Sequence, residues 1–193
     1  MESWPEQEAT VSSGMLVSED AQAGNAIWFE SRALTGGSRN QIDLSKTAKL
    51  IRGDAENTSY QTSTDDTIKG GLLFFGVDPD STSDHAIRIN FEGIDYDSNT
   101  ILYPSGEKAN GTWRLHINGV DSEGNHITTT MSNSHGPEYL THKVLVFNKI
   151  EQDYFSLTVF PESDLSGFIE TSELVAKNGA GVGNAKHFGL LWD

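Results

Sequence analysis

Two alternating runs in the last third of the chain set the tightest limit on its fold. From Tyr139 to Lys149, Leu140, His142, Val144, Val146 and Asn148 alternate with Thr141, Lys143, Leu145, Phe147 and Lys149. After Ile150-Glu151-Gln152-Asp153, the run Tyr154–Phe160 sets Phe155, Leu157 and Val159 against Tyr154, Ser156, Thr158 and Phe160. A period of two is the pitch of a strand, and a short polar link between two such runs makes a hairpin. Val144–Phe147 is apolar on both sides, as in a strand covered on both faces.

Shorter runs of the same kind predict strands over 26–34, 71–77, 85–92, 112–118, 126–132 and 186–192, separated by stretches rich in Gly, Asp, Ser and Asn. Many short strands with frequent turn signals point to a sandwich or barrel rather than strand–helix alternation. The expected fold is therefore all-β, an antiparallel, jelly-roll-like β-sandwich. Helical spacing of Leu44, Ala48 and Ile51 predicts a short helix within 43–51, and Leu165, Phe168 and Ile169 predict another within 164–177. Residues 1–25 differ from the rest and read as an amino-terminal arm, with Trp4 and Met15-Leu16-Val17 as its anchors on a neighbouring subunit. Residues 26–193 read as one domain.

Composition narrows the partners. A formal net charge of −15 repels phosphate backbones, so nucleic acid is not expected. The absence of cysteine removes disulfides, thiolate metal sites and thiol nucleophiles together. No apolar stretch is long enough to insert in a membrane as a helix, and the acidic start Met1-Glu2-Ser3-Trp4 is unlike a signal peptide, so synthesis in a host cytoplasm is expected.

Chemistry-bearing motifs are sparse. Asp78, Asp80, Thr82 and Asp84 alternate as in the opening of a calcium loop, although Ser83 and Ile89 stand where the full loop has Gly and Glu. Calcium is the one cofactor these residues suggest, and turn capping is the alternative use of the same side chains. Asp95-Asp97-Asn99 and Asp121-Glu123-Asn125 are partial sets of the same kind. Glu92 with Asp95 or Asp97 invites a glycosidase pair, but Gly93 breaks the strand between them. The six histidines form no zinc string, and the glycines of 178–183 follow no strand–helix unit of a dinucleotide site. Arg52-Gly53-Asp54 matches an adhesion tripeptide by three residues alone, and Trp28, Trp113, Trp192 and Tyr139 serve either a core or a sugar platform.

The closing segment Lys186-His187-Phe188-Gly189-Leu190-Leu191-Trp192, after a long strand pair and a Gly-rich turn, resembles the last strands of concanavalin-A-like and laminin-G-like sandwiches. The composition resembles that of tailed-bacteriophage virion proteins: cysteine-free, acidic, rich in Ser, Thr, Asn and Gly. That resemblance implies a non-enzymatic structural protein of a virion, a capsid decoration, tail or fibre component whose partners are copies of itself and other virion proteins. A glycan-binding sandwich module that recognises a host-surface glycan is the alternative.

Overall fold

The computed structural model describes residues 23–34, 36–37, 39–105, 112–178 and 185–192. Among them eleven strands form one sheet: β1 (Ala26–Glu30), β2 (Gln41–Leu44), β3 (Thr47–Arg52), β4 (Thr67–Lys69), β5 (His85–Phe91), β6 (Ile94–Leu102), β7 (Trp113–His116), β8 (Lys143–Glu151), β9 (Tyr154–Pro161), β10 (Leu174–Asn178) and β11 (His187–Leu191). The helices are α1 (Ile127–His135) and α2 (Leu165–Thr171), the second entered through a 3-10 turn at Glu162–Asp164. The strands lie in the order β2-β7-β6-β5-β9-β8-β1-β11-β10-β3-β4. β5 and β9 run parallel and all other neighbours run antiparallel, so the sheet is mixed where a wholly antiparallel one was expected.

The sheet curls on itself. β2 stands at one end and β3 one strand from the other, yet only Ser45 and Lys46 separate them in sequence. Asn178 closes the seam, its Nδ2 donating to the Asp43 carbonyl at 3.2 Å while Ser45 Oγ donates to its Oδ1 at 3.0 Å. Every strand sends apolar side chains into the one enclosed core. The result is the expected sandwich-like all-β fold.

Packing explains where the local reading failed. Residues 71–77 form no strand; Phe74 donates to the Gly71 carbonyl and Gly76 to that of Leu73, giving successive tight turns. The turns place Leu72, Phe74 and Phe75 inside the curl, where the Phe75 ring meets those of Phe29, Phe147 and Phe155. Residues 127–135 are a helix because Ile127, Thr129 and Met131, which read as alternation, also contain an i, i+4 pair; Ile127 and Met131 are the two side chains it buries. The helix expected over 43–51 is instead the end of β2 and most of β3, with Ile51 exposed. The helix expected over 164–177 stops at Thr171, and β10 takes the remainder.

The sheet has a second, smaller apolar cluster on its outer face. Ala26, Trp28, Val144, Val146 and Val175 are roofed by Leu165, Phe168 and Ile169 of α2. β1, between β8 and β11 and covered on both sides, is buried at all five positions. Trp28 donates to Ser172 Oγ at 2.7 Å, and Ser172 Oγ donates to the Phe168 carbonyl at 2.6 Å, which fixes the end of α2 over the sheet.

Candidate functional site

The most deeply buried charge lies where β1 meets β11. Glu30 is 7% exposed, and its carboxylate accepts from Arg32 Nε at 2.7 Å and Nη2 at 3.2 Å. It also accepts from the His187 backbone N–H at 2.9 Å, and His187 Nδ1 lies 3.0 Å from Oε1. Burial pushes this carboxyl up, but the hydrogen bonds from Arg32 and His187 outweigh it and hold the pKa below its ordinary 4.5. Arg32 reaches back across two residues because its backbone is left-handed, at φ 45°.

Lys186 stands beside this group and donates to the Ala33 carbonyl at 3.2 Å. Desolvation lowers its pKa; Asp43 opposes the shift and Arg32 adds to it. Between them lies a cavity of about 170 Å³ walled by Phe29, Leu34, Ile42 and Asn178 as well as the charged groups. A desolvated amine beside a carboxylate–imidazole pair has the parts of an acid–base site. Its geometry favours a brace: Glu30 is committed to Arg32, just past the end of its own strand, and to His187 of β11, and these bonds tie the ends of β1 and β11 together.

A second polar set decorates the outer face of β5, β6 and β9. Asp95 Oδ1 accepts from Tyr154 Oη at 2.6 Å and Asn90 Nδ2 at 2.8 Å, and these bonds, Tyr154 first, lower its pKa. Arg88 Nε donates to Asp97 Oδ1 at 2.7 Å while the guanidinium lies 5.4 Å from the centre of the Tyr154 ring. His85 Nε2 lies 2.7 Å from Asp153 Oδ1 on the β8–β9 turn.

The acids singled out from sequence are distributed among separate partners. Glu92 and Gly93, both at positive φ, are the two-residue turn between β5 and β6. Glu92 Oε2 lies 3.0 Å from His135 Nε2 at the end of α1, whereas Asp95 and Asp97 face the β5 and β9 side chains already described. Asp78 Oδ1 accepts the Asp80 amide at 2.8 Å, and Asp84 Oδ1 accepts the Tyr103 amide at 2.8 Å. Asp80 and Thr82 lie in the same surface loop, and among the described residues no group of three or more His, Asp or Glu is placed to hold a metal ion. Asp121 likewise caps its own turn through the amides of Glu123 and Asn125. Trp4, Met15, Leu16 and Val17 lie outside the described residues.

Trp28 and Trp113 are wholly buried and present no sugar platform. Trp192 packs edge-on to Tyr60, and Tyr139 stacks on His135 with ring centres 4.1 Å apart. In Arg52-Gly53-Asp54, Arg52 Nη1 donates to the carbonyls of Ile169 and Glu170 at the end of α2, a good place for a cation. Gly53 has φ 100°, and Asp54 Oδ1 accepts the Glu56 amide at 2.9 Å, so all three residues serve the fold. Sequence reasoning missed Glu30 and Lys186, for which the one available signal was a glutamate at the end of an otherwise apolar run; Asn99, named there in a partial calcium set, is buried and bonded to the backbone of Ile87, Tyr96 and Gly119.

No family model matches the chain, and no curated protein matches it in sequence.

Proposed function

We propose that the chain is a non-enzymatic structural or assembly protein of a phage particle, a capsid decoration, tail or fibre component that works through contacts with copies of itself and with other particle proteins. The observation that carries this reading is the use of its charged groups. Glu30, Glu92, Asp95, Asp97 and Asp153 each meet a partner on a neighbouring strand, turn or helix, which is how acids are used when they brace a fold. The particle setting rests on the acidic, cysteine-free composition.

The sheet ends favour contacts elsewhere than strand-to-strand addition. β4 has three residues and is flanked by a bridge from Gln61 to Ile68, and the end of β2 is covered by Asn178. Subunit contacts are accordingly assigned to the amino-terminal anchors Trp4, Met15, Leu16 and Val17. Sedimentation of the full chain tests this: a closed oligomer is expected, and Trp4→Ala combined with Leu16→Asp converts it to monomer at unchanged melting temperature. A concentration-independent monomer in the unaltered chain, with no binding to particles, refutes the proposal.

A further inference from the structure

A cleft of about 480 Å³ lies between the β1–β2 connection and α1, within the size range of small-molecule sites. It is lined by Gly37 and Arg39 of that connection, Thr128, Thr129 and Ser132 of α1, and Pro137 and Glu138 just beyond the helix.

The helix is built oddly for a purely structural element. Its sequence, Ile-Thr-Thr-Thr-Met-Ser-Asn-Ser-His, is poor in strong helix formers. Ile127 and Met131 anchor it to the core, while Thr128 and Ser132, four residues apart, share the face turned to the cleft. Serine and threonine in a helix commonly bond back to the preceding turn. Here Thr128 is half-buried and Thr129 and Ser132 are exposed, so their hydroxyls open to the cleft and its solvent. Helix propensity has been given up, and the hydroxyls remain available.

The charges at the cleft narrow the kind of ligand it suits. Arg39 Nε lies 3.8 Å from Glu138 Oε1, with both side chains well exposed and each backbone in the left-handed region, at φ 52° and 56°. A rim holding one cation and one carboxylate favours neither an anion nor a cation. It matches a neutral ligand that donates to the carboxylate, accepts from the guanidinium and does both with hydroxyls. We infer that this cleft is a saccharide site that takes a neutral mono- or disaccharide, with Arg39, Thr128, Thr129, Ser132 and Glu138 as its polar contacts and Pro137 against an apolar sugar face. The site is independent of assembly, since none of its residues belongs to the proposed arm. It also differs from the aromatic platform that the tryptophans suggested.

The test is a titration of the isotopically labelled full chain followed by amide chemical shifts. Glucose, galactose, mannose, N-acetylglucosamine and inorganic phosphate are each added to roughly 50 mM, above the millimolar affinity expected of a small open site. The expected result is saturable movement of the Arg39, Thr128, Thr129, Ser132 and Glu138 amides with at least one sugar. Arg39→Ala weakens it about tenfold, and Ser132→Trp, which fills the cleft, abolishes it; the remaining amide spectrum reports that each variant is folded. Titrations flat for all four sugars overturn the inference, as does saturation by phosphate alone, or sugar binding unchanged in both variants. Should Ser132→Trp not fold, Arg39→Ala decides the outcome by itself.

Discussion

Gly189 and Gly167 offer a paired test of how the two-sided sheet is packed. Gly189 of β11 lies opposite Trp28 of β1, whose ring is wholly buried between the sheet and α2. A methyl group at 189 falls against Nε1, Cε2 and Cζ2 of that ring, at 2.5 and 2.6 Å from the two carbons. Real Cβ atoms do not approach so closely, and the ring cannot yield: its Nε1 is bonded to Ser172, and Phe168 lies 5.7 Å away. Overpacking of a filled core costs about 1–3 kcal/mol, and displacing the indole from Ser172 adds about 1 kcal/mol. Gly189→Ala is therefore expected to destabilise by about 3 kcal/mol. Gly167 lies within α2 with nothing inside 4 Å of its would-be Cβ. There alanine relieves helix-interior glycine and is expected to stabilise by about 0.5–1 kcal/mol. Urea unfolding followed by tryptophan fluorescence separates the two, provided the slope m stays constant. For a chain of this size, a loss of 3 kcal/mol lowers the melting temperature by roughly 6–12 °C. A Gly189→Ala protein within 0.5 kcal/mol of the parent would refute the packing argument.

Acid stability probes Glu30. Because its folded pKa is depressed below 4.5, its contribution is present above that value and is lost as pH falls through the lower folded pKa. Glu30→Gln is expected to cost about 1–3 kcal/mol at pH 7 and to flatten the pH dependence of unfolding below pH 4.5, measured by urea midpoints across the acid range. Asn99 is fully buried; its Nδ2 donates to the carbonyls of Tyr96 and Ile87 and its Oδ1 accepts the Gly119 amide. Asn99→Ala removes all three of these buried bonds and is expected to cost about 3 kcal/mol in the same assay. Trp113→Ala should lose about 3–5 kcal/mol through cavity formation. Trp113→Phe should lose about half as much, since the buried indole N–H has no hydrogen-bond partner among the described residues.

The β8–β9 hairpin was legible in sequence because its alternation is long, its turn is short, and both follow from local geometry. The same holds for β5 and β7, where apolar residues alternate with polar ones, while β1 and β11 read as short apolar runs of strand length. The all-β class and the scarcity of helix followed from these runs and from the turn residues between them. Tertiary structure decided the rest. Residues 71–77 are as apolar as a strand but serve as a plug, because a sheet curled on itself needs its interior filled and Phe74 and Phe75 fill it. Residues 127–131 satisfy both periods, and only the position of the core selects the helix. The acids were visible but their roles were not, since Glu92 finds His135, Asp95 finds Tyr154, and Glu30 finds His187 across 43, 59 and 157 residues of chain. Periodicity is a local property and the sequence carries it openly. The pairing of charges is a property of closure, and it exists only once the sheet has brought distant strands side by side.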